Sequence, residues 1–493
     1  MTAIVLGCAT AVVYLYYIAT EIGAFYSLDY GEGVVWWQSV HIDDFRLVYK
    51  RMDIYPYMVT HYPPVYHWVV RWLTGIIPDW MVAGRVVSLL ATLGTGFVLG
   101  GLVYRIAPSR EPRLNRLAPA IMTGTLCLAV YPVLIWSRFA RVDMLALLLM
   151  YSGLAMFILS KRSIAGQYAA FVLFVLALYT KQTNVIAPFV CLLAAWAAQP
   201  AQAVKLAGVG LLVGVPPLAW MMRATQGGFL LNIVGYNQNP WNWDRLASYF
   251  SFQALLAGAV IVPALLLAGW ATRRVLQKGG FRAQVDGSVY RRAVAILVLY
   301  WLLAGLSTLG IAKVGGHYNY FLEFDIASCV LTGLLLTARL AVRHKRAWTL
   351  ALAPQVALIF VMLSISSSDL PTVALRQLHD RTYKEVLAVV KQTPGDVYSE
   401  DISILMRSGK EPPAEAAIIA ALTATGAWDE RPFLAMLEQQ RFGALILPTL
   451  SFYSSGFSSA VRRHYEVVRV TALGTVYRPK PGGGDPQLWR QAN

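Results

Sequence analysis

The sequence predicts a polytopic α-helical membrane protein with an α/β domain outside the lipid. Three observations predict it. Of its 493 residues 57% are hydrophobic and only 14% charged, where soluble domains carry roughly 25% charged residues. The apolar residues gather into runs of the roughly 20 residues that a bilayer crossing needs. Lysines and arginines, finally, crowd the loops on one side of those runs.

The candidate spans are residues 3–26, 80–104, 117–136, 142–160, 164–180, 184–199, 204–222, 252–272, 293–312, 321–338 and 347–366, about eleven by that length criterion. The first run has no basic leader and no small-residue cleavage site, so it reads as a retained helix rather than a signal peptide. With the N-terminus inside, the inner loops carry Arg105, Arg110, Arg113, Arg116, Lys161, Arg162, Lys205, Arg273, Arg274, Lys278, Arg282, Arg291, Arg292, Arg339, Arg343, Lys345 and Arg346. Their only acids are Glu111 and Asp286. The net charge of +16 is then the positive-inside rule at work rather than a nucleic-acid surface. A multi-pass protein of the inner (plasma) membrane is expected. Cys8, Cys127, Cys191 and Cys329 all fall inside apolar runs, so no disulfide framework is implied.

Three long segments remain outside: the first external loop 27–79, residues 223–251, and everything after about 367. Residues 1–366 read as the transmembrane domain. In 367–493 strand-like runs ("DVYSED", "FGALILP", "YEVVRVTALGTVYRP") alternate with helix-like ones ("PAEAAIIAALTA", "ERPFLAMLEQQ"), as in a small extracytoplasmic α/β domain. Its tail, "RPKPGGGDPQLWRQAN", reads as flexible.

Polar residues at the outer ends of spans are informative, because each costs free energy unless paired, wetted or used. "SLDYGEGVVWWQ" brings Asp29 and Glu32 to the rim three residues apart, on one face if helical. The glycines beside Glu32 would let a ligand approach. Two carboxylates in a wet cavity suit general-base work; a solvated pair at a helix end is the plainer alternative. "SRFARVDML" adds Arg138, Arg141 and Asp143. "LYTKQTNVIAP" adds Lys181 and Gln182, and "AKVGGHYNYFLEFD" adds Lys313, His317 and Tyr320, with Glu323 and Asp325 entering the next span. Cations on the side that the positive-inside rule leaves poor in them suit an anion, and phosphate fits Arg and Lys well. Capping, snorkelling or pairing with Asp143, Glu323 and Asp325 is the alternative. Tyr62, Tyr66 and Trp68 of "HYPPVYHW" and the tryptophans of "WNWDR" suit interfacial anchoring. No histidine has metal-ligand spacing.

The order of "DYGEG", "YPP", "RFARVD", "TKQT" and "GGHYNYFLE" resembles the GT-C membrane glycosyltransferases, most closely the bacterial branch related to protein O-mannosyltransferases and lipid A aminoarabinose transferases. The resemblance covers roughly residues 20–340. It implies a polyprenyl-phosphate-linked sugar as donor, an extracytoplasmic acceptor (glycan, lipid or protein) and an inverting transfer within the lipid membrane. The family's first-loop acid carries over onto Asp29 or Glu32. Relatives often set the two acids side by side, whereas Tyr30 and Gly31 separate them here. The "EG" context tilts the choice slightly to Glu32. The resemblance also implies a lipid-phosphate grip by Lys181, Arg138, Arg141 and Lys313. Tyr62, Asp143, Gln182, His317 and Tyr320 would then lie near donor or acceptor. Two acids in one loop permit a divalent cation, Mg or Mn, but no ligand set is assigned. A transporter or flippase, or a ligase-type transferase, is the rival reading. Against a transporter stand the charges at outer span ends rather than at the midplane.

Overall fold

The computed structural model describes residues 2–108, 112–237, 239–277, 279–340, 353–364 and 373–481. Arg110, Glu111, Lys278, Arg343, Lys345, Arg346, the side chain of Arg339, the expected boundary near 366 and the tail from 482 lie outside the described residues.

Each predicted apolar run overlaps a helix among the described residues, the run 347–366 only over 353–364. In chain order these are Thr2–Ala19, Trp80–Ile106, Arg113–Ala129, Asp143–Leu159, Ile164–Leu178, Ile186–Ala198, Pro200–Ala224, Asp244–Gln277, Val289–Ser307, Leu322–Leu340 and Ala353–Ser364. Among the described residues, six helices are long and apolar enough to cross a bilayer unaided. Asp143–Leu159, Ile164–Leu178 and Ile186–Ala198 are apolar but only 17, 15 and 13 residues long. At 1.5 Å per residue they rise about 20–26 Å, less than a hydrocarbon core of about 30 Å. They are too short to cross it upright by themselves, and the polar turns 137–142 and 179–185 lie at their ends.

The predicted run 117–136 is in fact two helices. Val130 turns extended (φ −70°, ψ 135°) and Pro132 seats in the first turn of Tyr131–Trp136, where its missing N–H is not needed. That break swings Arg138 and Arg141 over the outer end of the bundle.

Residues 373–481 form the predicted α/β unit. Strands β1 (Asp396–Ser399), β2 (Phe442–Leu447), β3 (Tyr465–Thr471) and β4 (Gly474–Pro479) make one sheet in the order β1-β2-β4-β3. β1 and β2 are parallel and the other pairs antiparallel. Alternation along the strands splits the core into two layers. Val397, Ala444 and Ile446 face helices Val373–Gln392 and Ile402–Ser408. Tyr398, Leu445 and Leu447 face Phe433, Tyr453 and Phe457. Met52, Tyr57 and Val59 from the first outer loop complete this second layer, and Tyr57 exchanges backbone bonds with Pro413 and Glu415.

Helix Tyr30–His41 lies between the two units. Residues 30, 33, 37 and 41 form one stripe at helical spacing. Tyr30 accepts from Ala417 N, and both Trp37 and His41 reach Glu411. Glu32, Val35 and Ser39 form the opposite stripe, toward Arg85, Tyr66 and His67 of the membrane unit.

Candidate active site

The site grows from the start of that helix. Asp29 is its N-cap, extended at φ −142°, with Oδ1 accepting from Gly31 N. Arg141 Nη1 donates to the same oxygen at 2.9 Å, and its Nη2 lies 3.4 Å from the Tyr62 hydroxyl. Gly31 is what admits this guanidinium, since a Cβ there would fall 1.4 Å from Arg141 Nη1. The expectation that the glycines clear space for a ligand is corrected: Gly31 makes room for Arg141. Among the described residues no hydrogen bond reaches Asp29 Oδ2, and the side chain keeps 26% of its exposure.

Glu32 is wholly buried. Oε1 accepts from Arg85 Nε (2.9 Å) and Ala140 N (2.7 Å), and Oε2 from Arg85 Nη2 (2.7 Å) and Leu28 N (2.6 Å). A carboxylate has about four lone-pair sites, and all are taken. Arg85 also donates to Ala24 O and Tyr26 O, tying the chain after the first helix to the same ion pair. Nothing in the sequence analysis singled out Arg85. The available signal was a lone charge one turn inside an apolar run.

Asp143 opens its helix and pairs with Lys181 Nζ at 2.6 Å, with Asn319 Nδ2 at 3.5 Å. Burial pulls the Lys181 ammonium down, but the charge and hydrogen bond of Asp143, with Tyr62 and Tyr320, together lift the group above its ordinary value. Arg141 behaves alike, with Asp29 as the larger opposing charge. Lys181 is thus paired with Asp143, as the ion-pair alternative has it, whereas Arg141 is paired with Asp29. Tyr62 and Tyr320 complete the wall, near enough to Lys181 to feel its charge.

His317 packs at a tilt against Trp136, ring centroids 5.1 Å apart. Desolvation holds its imidazole below the ordinary value, although Asp29 pulls the other way. Its loop is held by Arg245, also unforeseen, which donates to Lys313 O and Gly316 O at 2.7 Å each. Three expected ligands point elsewhere. Arg138 donates to the Tyr17 hydroxyl and lies over the Tyr17 ring. Lys313 sits 5.7 Å above the Trp241 ring. Gln182 spends its amide on His61 O and Ile233 O. These bonds leave Asp29, Arg141, Tyr62, Asp143, Lys181, Asn319 and Tyr320 together.

No group of three or more His, Cys, Asp or Glu among the described residues is placed to hold a metal ion. Asp29 and Asp143 are each paired with a cation, Arg141 and Lys181, through one carboxylate oxygen.

No family model matches the sequence, and no curated protein does. Solved structures do. ArnT from Cupriavidus metallidurans, bound to undecaprenyl phosphate, is similar over 98% of this chain and 99% of its own, at TM-score 0.61 and 13% identity. The apo oligosaccharyltransferase of Archaeoglobus fulgidus matches over 98% and 75%, at TM-score 0.56 and 11% identity. The same archaeon's AglB, in complex with an inhibitory peptide and a dolichol-phosphate, matches at TM-score 0.54 and 12% identity. The likeness runs along nearly the whole chain, through the helical bundle and the C-terminal unit alike. This is a multi-pass membrane protein with the fold of the GT-C membrane glycosyltransferases.

Proposed function

We propose that this chain transfers a sugar from a polyprenyl-phosphate carrier to an acceptor on the extracytoplasmic face of the inner membrane. Asp29 acts as the base, and Arg141 and Lys181 hold the carrier phosphate. The observation that carries this reading is the part-exposed Asp29 carboxylate paired with Arg141, whose charge also acts on the Asp143 that Lys181 holds, all at the outer ends of apolar helices. The solved neighbours holding undecaprenyl phosphate and dolichol-phosphate support a lipid-phosphate ligand.

The chemistry is an inverting displacement. Asp29 Oδ2 takes the proton from an acceptor hydroxyl or amine as that atom attacks the anomeric carbon. The bond from that carbon to the phosphate oxygen breaks, and the electron pair leaves on the phosphate. Arg141 and Lys181 take up the growing charge. Arg141 offers two donors to a phosphate, whereas Lys181 acts as a point charge. The Tyr62 and Tyr320 hydroxyls line the same wall and would orient sugar or phosphate. His317, packed against Trp136 and held toward its neutral form, would line the acceptor side. Glu32 is assigned no proton transfer, because every lone pair it has is already engaged.

Purified protein in liposomes, given an undecaprenyl-phosphate-linked pentose or hexose and an envelope lipid and glycan extract, should release undecaprenyl phosphate and glycosylate the extract. Movement of the lipid-linked sugar across the vesicle without transfer would instead favour a flippase.

A further inference from the structure

The chain on both sides of Asp29 is held by the C-terminal unit. Ser27 Oγ donates to Asp401 Oδ2 at 3.0 Å, while Asp401 Oδ1 caps helix Ile402–Ser408 through Ser403 N. Tyr30 OH accepts from Ala417 N at 3.1 Å. Gly33 lies against the first turn of Ile402–Ser408, and a Cβ there would sit 2.5 Å from Ser403 N and 3.0 Å from the Ile402 carbonyl carbon. Arg407, one turn on, pairs with Asp79 at 2.9 Å, the residue that caps helix Trp80–Ile106.

We propose that Ser27 and Asp401 are positioning residues for the transfer, and that the C-terminal unit acts as a brace that aims Asp29. The inference rests on the reading of Asp29 as the base. Glu32 anchors helix Tyr30–His41 on its membrane-facing stripe through a buried ion pair, and Val35 and Ser39 hold the same stripe against Tyr66 and His67. Anchors along one stripe fix the height of a helix but leave its opposite face, and the turn that carries Asp29, to be held from the other side. On the opposite stripe Tyr30, Gly33 and Trp37 meet the C-terminal unit, with Leu47 and Met58 of the first outer loop packed beside Trp37. Ser27 adds a hold two residues before the base, so Asp29 is bracketed from both sides. A misplacement of about 1 Å at reacting atoms can cost on the order of 10²-fold in rate, which is the scale at which such a brace acts.

Two variants isolate it. Ser27→Ala removes the bond to Asp401 and leaves the cap of Ile402–Ser408 intact. Gly33→Ala inserts one methyl between helix and brace, and because Ala is the better helix former any loss arises at the contact. Turnover should fall about 10-fold in Ser27→Ala and about 10²-fold in Gly33→Ala. Retention of undecaprenyl phosphate should stay within about twofold of the parent, since Arg141 and Lys181 are untouched. Asp401→Asn should restore most of the rate lost in Asp401→Ala, because Asn still caps through its oxygen and turns its amide to the Ser27 hydroxyl. Hydrogen exchange supplies a readout independent of turnover: the amides of residues 28–34 should lose protection in Gly33→Ala while the membrane helices keep theirs. Parental turnover in both variants beside an inactive Asp29→Asn would overturn the brace and spare the base. Turnover lost in step with lipid-phosphate retention would also overturn it, as general damage. An active Asp29→Asn would remove the base itself; unchanged exchange over 28–34 in Gly33→Ala would then remove the brace too.

Discussion

Burying Glu32 strips a carboxylate of water, and Arg85 with two backbone amides takes the water's place. Breaking such a pair leaves an uncompensated buried charge, at a cost of about 3–5 kcal/mol. Glu32→Gln should therefore lower the melting temperature and the yield of folded protein, which thermal unfolding in detergent will read. Asp29→Asn should leave both near parental. Lys181→Met strands Asp143 in the same way and should cost about 3–5 kcal/mol. Adding Asp143→Asn should recover much of that stability but not the binding of undecaprenyl phosphate, and this double-mutant cycle separates the structural share of Lys181 from its share in the ligand. Asp29, Arg141, Asp143 and Lys181 were all legible in the sequence as charges at the ends of apolar runs. Their division of labour was not. Which of two acids three residues apart is saturated depends on Arg85, 53 positions downstream of Glu32, and no local pattern encodes that partner. The slight preference for Glu32 rested on the neighbouring glycine, whose function is to admit a helix turn of the C-terminal unit.

At the scale of elements, the apolar runs were readable because hydropathy is a local property, and every predicted run meets a helix. The break at Val130 was less visible, though Pro132 marks it. The junction between the membrane unit and the sheet was hidden, because Met52, Tyr57 and Val59 look like loop residues until a distant layer buries them. This junction should depend on pH. Burial raises the Asp401 carboxyl above its ordinary range, opposed by its bonds to Ser403 and Ser27, with the Glu32 charge adding to the rise. Glu400 is raised too, by burial and by Asp401. A carboxyl with a raised folded-state value binds protons more readily folded than unfolded, so stability rises as pH falls toward about 4 and declines as pH climbs through the folded value. The C-terminal unit should melt higher at pH 5 than at pH 7.5, and Asp401→Asn should flatten that difference. The same melting temperature at both pH values in the parent would contradict the assignment.

For the whole molecule, the chain alternates between two sides, with Lys161, Lys205 and Arg291 at one set of helix ends and the site with its α/β unit at the other. The bias that orients the chain predicts that a cysteine at Ser451 is labelled by an impermeant maleimide from the extracytoplasmic face, and one at Arg162 only after the membrane is opened. The reverse pattern would invert the topology. The central claim is that Asp29, and not Glu32, takes the acceptor's proton beside a phosphate held by Arg141 and Lys181. Single-turnover transfer by Asp29→Asn tests it most directly, in protein shown to retain undecaprenyl phosphate. The account predicts retention near parental and a rate reduced by about 10²–10⁴-fold, the usual worth of a general base. Transfer at the parental rate by that variant would contradict it.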